Sequence, residues 1–173
     1  GTEIIGDGNL DYRVSTDAKD EIGQLSRAFD RMTEKVRFNE SRLEALLELS
    51  ELRESTIKEI ADFVLEEGVK LTQSKIGFIG FMDSDESTVT IQSWSKSAME
   101  ECRISDKPIR YPIEEAGLWG EAVRQHKSVV INDYSAPNPH KKGYPEEHVH
   151  LHRIMVVPVM DRNKVATLIA VGN

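Results

Sequence analysis

Ile76-Gly-Phe-Ile-Gly-Phe-Met82, followed by Asp83-Ser-Asp-Glu-Ser87 and Thr88-Val-Thr-Ile-Gln-Ser-Trp94, is the stretch that decides the fold. The first run is apolar with glycines, the middle is turn-forming, and the last alternates apolar with polar residues. Together they predict a β-hairpin. Upstream the period is helical. Between Asp20 and Leu46 the residues Ile22, Leu25, Phe29, Met32, Val36, Leu43 and Leu46 follow three-and-four spacing, with Asn39 the one polar residue at a seam position. The residues between them are mostly charged, so a narrow apolar seam runs along a solvated rod. Such a seam needs a partner helix, and a parallel dimer is the simplest one.

The stripe loses phase around Ser50 to Thr56, and a second amphipathic segment begins with Ile57, Ile60, Ala61, Val64 and Leu65, ending near Gly68. Beyond the hairpin, Glu115 to His126 reads as a helix, Ser128 to Ile131 as a short strand, and 132–151 as a long polar loop with Pro137, Pro139, Gly143 and Pro145. A second hairpin closes the chain: Ile154 to Met160, a turn at Asp161-Arg-Asn163, and Val165 to Val171. At the other end, Gly6 to Val14 has the Gly, Asn and Asp content of a connector, with Leu10, Tyr12 and Val14 alternating as if pinned on one side. The pattern predicts an α+β fold, an antiparallel sheet flanked by helices and preceded by a long coiled-coil-forming helix.

A chain of 173 residues has room for one ordinary core and a smaller appendage. Its hydrophobic fraction of 39% and charged fraction of 30% are those of a globular chain. With 22 Lys and Arg against 30 Asp and Glu, the net charge of −8 repels phosphate backbones, so nucleic acid is not an expected partner. The single cysteine, Cys102, excludes an internal disulfide and a multi-cysteine zinc site and fits a reducing, cytoplasmic setting. No apolar run reaches the ~18 residues of a membrane-spanning helix, and the start lacks the basic and apolar regions of a signal peptide. The first residue is Gly1 rather than Met, so the expectation is a segment of something longer.

Two stretches resemble known families. Asp20-Glu-Ile-Gly-Gln-Leu25 with Phe29 and Met32 is similar to the start of the second helix of a HAMP domain, the relay module of histidine kinases and chemoreceptors, and Gly8 to Val14 is similar to its connector. The remainder resembles a GAF domain, through Gly117-Leu-Trp-Gly-Glu-Ala-Val-Arg-Gln125 leading to Val129-Val-Ile-Asn-Asp-Tyr134, through Gly143-Tyr-Pro-Glu-Glu-His148 with Leu151, and through Val157-Pro158 leading to Val171-Gly-Asn173. Trp94-Ser95 and Met99-Glu-Glu-Cys102 extend the likeness to the subtype of archaeal and bacterial sensor kinases. The resemblance implies a partial HAMP domain over 1–40 and a GAF domain over 41–173 that lacks its final helix. It also implies a six-stranded antiparallel sheet with a ligand held between the sheet and the loops covering it. Glu147 stands where related domains carry Gly, so a different local turn is expected there.

Four candidate ligand-binding residues follow: Trp94, Cys102, Trp119 and His148. The tryptophans could stack on a planar ligand, although core packing is the more frequent use of Trp. Cys102 could be a redox-reactive thiol or a covalent anchor for a tetrapyrrole; the preferred reading is a small buried residue beside the pocket. His140, His148, His150 and His152 lie within thirteen residues and suggest zinc or haem, yet a Pro-rich loop is a poor frame for converging ligands, and a structural or solvated role is preferred. His148 is expected to fix its loop by hydrogen bonds from its ring.

No glycine-rich phosphate loop, nucleophile elbow or His-Glu helix motif is present, so no catalysis is expected of this chain itself. The leading expectation is a sensing and relay segment of a two-component histidine kinase on the cytoplasmic side of the cell membrane, held there by upstream segments. It would be a homodimer through the helix from Asp20 to Leu65, with an unidentified small molecule in the GAF pocket, haem or another small planar ligand among the possibilities. The alternatives are a ligand-free dimerisation scaffold and a haem-binding redox or gas sensor. A methionine sulfoxide reductase, which some free-standing GAF domains are, is disfavoured because Cys102 has no second cysteine to form a disulfide with.

Overall fold

Asp20 starts the longest element by accepting the Gly23 backbone N–H on its carboxylate at 2.9 Å, leaving the helix α1 to run from Glu21–Glu51. The computed structural model describes residues 9–14, 16–102 (backbone alone at 101 and 102), 109–142 and 149–173. In the N-terminal unit, up to Glu51, the connector is strapped to α1 by polar contacts. Arg13 donates to the Asp30 carbonyl at 2.9 Å, the Val14 N–H donates to the Asp30 carboxylate at 2.8 Å, and Arg37 pairs with Asp11 at 2.9 Å. A side chain at Gly23 would meet the Ala18 carbonyl at 1.8 Å, so only glycine lets the connector pass there. These contacts use the face of α1 that carries Gly23, Asp30 and Arg37. The apolar stripe lies elsewhere on the helix, and Ile22, Leu25, Met32, Val36, Leu43 and Leu46 remain 42–67% exposed.

The second unit opens with a 3-10 turn at Leu52–Glu54 and a capped helix. Thr56 accepts the Glu59 N–H on its hydroxyl while its own N–H donates to the Glu59 carboxylate at 2.7 Å, a reciprocal cap that starts α2, Ile57–Leu71. The sheet that follows consists of β1 (Ile76–Met82), β2 (Thr88–Trp94), β3 (Ile109–Pro112), β4 (Val129–Ile131), β5 (Ile154–Asp161) and β6 (Lys164–Gly172). Its order is β3-β2-β1-β6-β5-β4 and every pairing is antiparallel. The helix α2 covers one face, where Ala61 and Leu65 are buried. Gly77 is what allows the close approach, because a Cβ there would come within 2.9 Å of the Leu65 side chain and 2.7 Å of the Ala170 carbonyl.

The opposite face holds the main core. Ile76 of β1, Val89 of β2, Ile154 and Val156 of β5 and Leu168 and Ala170 of β6 pack there against Leu118, Ala122, Val123, Tyr134 and Leu151. A register shift in the β1–β2 ladder shapes this face. Phe78 lies opposite Trp94 and Gly80 opposite Ile91, so three residues of β1 face four of β2, and Trp94 and Ile91 reach the same side despite their odd spacing.

Both hairpins and the short strand stand where the periodicity predicts them, and the helical break falls at Leu52–Ser55. Two elements were not legible from pattern: α3, Lys96–Cys102, and the edge strand β3, four residues ending in a proline that an edge position tolerates. The helix expected over Glu115 to His126 is shorter. It begins as a 3-10 turn at Leu118–Gly120 and continues as α4, Glu121–Gln125, because the residues before it are spent on a turn whose carbonyls are bound from the side by Arg124.

Leu65→Ala opens a cavity under a fully buried side chain and is expected to cost the second unit about 2–5 kcal/mol in urea unfolding. Val130→Ala, at a position 59% exposed on the edge strand β4, is expected to stay within ~0.5 kcal/mol.

Candidate ligand-binding cleft

Phe78 of β1, Ile91 and Trp94 of β2 and Tyr111 of β3 form the floor of a cleft of about 220 Å³; Trp119 and Gly117 close it from above, and Glu115 and Lys142 stand at its sides. The rings touch in series. Phe78 and Trp94 have centroids 5.6 Å apart with planes at 53°, Phe78 and Trp119 5.9 Å at 83°, and Tyr111 and Trp119 6.1 Å at 81°. Edge-to-face contacts of this kind fix ring orientation as well as burying area. The indole N–H of Trp94 is buried with no acceptor among the described residues. On the far side of Phe78 and Trp94 a smaller void of about 40 Å³ is lined by Ile76, Ala98, Leu151, Ile154 and Ala170, all apolar.

The wall that carries Trp119 is held by one side chain. Arg124 donates to the Ile113 carbonyl at 2.7 Å, the Ala116 carbonyl at 3.1 Å and the Gly117 carbonyl at 2.9 Å, and its Nε contacts the Glu121 carboxylate at 2.6 Å. Glu121 is 8% exposed and also accepts from Gln125 at 2.7 Å, with His140 Nδ1 at 3.3 Å. Burial pushes the Glu121 carboxyl up, but hydrogen bonds from Gln125 and Arg124 and the nearby positive charge outweigh it and hold the group below its ordinary value of 4.5. On the other side, Lys142 Nζ donates to the Glu114 carbonyl, which ties the start of the polar loop to the turn after β3.

Of the residues singled out from sequence, the fold brings Trp94 and Trp119 together on one cleft, both against Phe78. The Cys102 side chain and His148 lie outside the described residues, as does Glu147. Phe78, Ile91, Tyr111, Glu115 and Lys142 escaped the sequence reading. Phe78 could have been found from the hairpin, since an aromatic pair directly across two strands is a recurrent unit. His140 sits beside Glu121 and the His150 and His152 rings lie 5.1 Å apart, and no group of three or more metal-ligating side chains occurs among the described residues.

The chain matches the HAMP domain family over residues 1–38 and the GAF domain family over residues 54–173. It belongs to the GAF domain family and carries a HAMP domain ahead of it, the make-up of a signalling sensor. It is 55% identical over 137 residues, 79% of its length, to a methyl sulfide methyltransferase-associated sensor of Methanosarcina acetivorans, and the match spans 14% of that protein. Among solved structures it is similar in fold to the GAF domain of a phosphoenolpyruvate-protein phosphotransferase of Coxiella burnetii (TM-score 0.60, 11% identity, 76% of each chain covered). It is also similar to free methionine-R-sulfoxide reductase of Neisseria meningitidis in complex with its substrate (TM-score 0.59, 12% identity, 79% of this chain and 72% of the other).

Because the folded state favours the charged form of Glu121, its contribution to stability is fully present above pH 4.5 and is lost as pH falls below that through the lowered folded-state value. The difference in melting temperature between the native chain and Glu121→Gln is therefore expected to be largest near neutral pH and to shrink as pH falls below 4.5. A difference that stays constant across that range would contradict this assignment.

Proposed function

We propose that this chain is the ligand-sensing and relay segment of a sensor histidine kinase, in which a small molecule held in the aromatic cleft alters how two copies pack along α1. The observation that carries the reading is the cleft itself: both tryptophans of the chain wall it, together with Phe78 and Tyr111. Membership of the GAF family and 55% identity to a protein named as a sensor support the same reading. The kinase output, and any catalysis, would reside in other parts of the parent, for which the far greater length of that relative leaves ample room. No helix among the described residues is long and apolar enough to cross a membrane, so attachment to the cytoplasmic face would come through other segments.

The partner would be a second copy of the chain. The stripe Ile22, Leu25, Met32, Val36, Leu43 and Leu46 is exposed, while the opposing contacts of α1 are taken by the connector. A coiled-coil seam of this spacing closes when two parallel helices bury it. Asn39, also exposed, interrupts the stripe at a position where a buried polar side chain costs stability but fixes register, which suits an element that switches between two packings of similar energy. Ala61 and Leu65 are buried within the chain's own second unit, so these two residues do not belong to a free seam, whereas Ile57 at the start of α2 is 70% exposed.

Sedimentation equilibrium is expected to show a dimer that Leu25→Asp with Leu43→Asp converts to a monomer, and a more tightly associated dimer for Asn39→Leu. In a signalling assay of the parent protein, Asn39→Leu is expected to lock the output. A monomeric native chain at all concentrations, or an Asn39→Leu variant that dimerises and signals as before, would count against the relay.

A further inference from the structure

The cleft that the functional reading rests on also carries information about what fills it. At about 220 Å³ it is smaller than the ~300–1,000 Å³ of pockets built for drug-sized ligands, so its occupant has few heavy atoms. Its walls are aromatic but do not form a slot. Successive ring planes meet at 53°, 83° and 81°. A flat ring stacks between parallel faces, whereas corners between steeply inclined rings are filled by a compact, rounded group. A methylated onium centre is such a group, and the electron-rich faces of Trp, Tyr and Phe attract it when the charge comes within about 6 Å of a ring centroid.

The charged residues narrow the choice. Glu115 and Lys142 both line the cleft, one negative and one positive. A simple cation would be opposed by the Lys142 ammonium, and a simple anion by the Glu115 carboxylate. A zwitterion satisfies both. We infer that the cleft takes a small betaine, a trimethylammonium or dimethylsulfonium head joined by one or two carbons to a carboxylate. The methylated head lies against the rings and Glu115, and the carboxylate pairs with Lys142. Lys142 Nζ gives one of its donors to the Glu114 carbonyl, which leaves two for the ligand.

Trimethylglycine titrated calorimetrically into the intact chain tests this, with its carbon isostere tert-butylacetate as the control that keeps shape and carboxylate but removes the positive charge. Trimethylglycine is expected to bind about tenfold more tightly than tert-butylacetate. Glu115→Gln and Lys142→Met are each expected to weaken it several-fold, and Lys142→Met to shift preference toward choline, which lacks the carboxylate. Trp119→Leu is expected to abolish binding, while Trp119→Tyr, which keeps an aromatic face, retains most of it. Equal affinity for the two isosteres overturns the inference.

Since the chain has two tryptophans and both line the cleft, the indole N–H signals of a proton–nitrogen correlation spectrum report on this site. Trimethylglycine is expected to move them. If it leaves them in place and adenine or haemin moves them, the cleft remains a ligand site and the betaine is wrong. If none of the three moves them, the inference falls together with the reading of the cleft.

Discussion

The guanidinium of Arg124 is the contact on which the candidate site depends. Its fork reaches three carbonyls of the turn that follows β3, and its Nε is held by a nearly buried carboxylate. A planar, permanently charged group with five fixed donors can do this and a lysine cannot. Each of these bonds involves a charged donor, the stronger class of hydrogen bond. The turn they fold leads directly into the 3-10 segment that carries Trp119, and Trp119 touches both Phe78 and Tyr111. Without the clamp, a short stretch with few contacts of its own would have to place an indole over the sheet unaided. Gly117 and Gly120 belong to the same arrangement. A side chain at Gly117 would press on the Lys142 backbone at 3.3 Å, and one at Gly120 would meet the Ala116 side chain at 2.5 Å.

Beneath this wall, the sheet supplies a floor whose chemistry follows from one irregularity. A regular ladder would send Ile91 and Trp94 to opposite faces, because side chains alternate along a strand. The register shift between Ile79 and Gly80 brings both to the same side. The face therefore presents Phe78, Ile91, Trp94 and Tyr111 together over a short distance, and the helix α2 keeps the other face dry through Ala61, Leu65 and Gly77. The N-terminal unit obeys a separate logic. Polar straps from the connector are confined to one side of α1, and the apolar stripe is left on another.

Much of this was written in local periodicity. The seam of α1, the second amphipathic segment from Ile57 and the two hairpins repeat at short, fixed spacings, and each could be read without knowing what lies nearby in space. The six-stranded sheet of the GAF family could be anticipated, yet β3 could not be located, since four residues ending in a proline show no period. The site was only half legible. Trp94 and Trp119 stand out as rare residues in the stretches that carry the family likeness, but their meeting depends on Phe78, on a bulge and on the Arg124 clamp. Arg124 lies eleven residues from the Ile113 carbonyl it binds and seven from that of Gly117, and nothing in the composition of a short helix marks one arginine as the one that turns inward. Lys142 reaches Glu114 across 28 residues, a contact that only the folded loop reveals.

The most direct test of this account is the near-ultraviolet circular dichroism of Arg124→Leu, measured beside its far-ultraviolet spectrum. The tryptophan bands report the chiral packing of Trp94 and Trp119, while the far-ultraviolet signal reports the sheet and α2, which do not rely on the clamp. The account predicts that the tryptophan bands collapse while the far-ultraviolet spectrum is retained. Tryptophan bands that persist unchanged in a folded Arg124→Leu chain would contradict it, because the cleft would then be assembled by something other than the clamp.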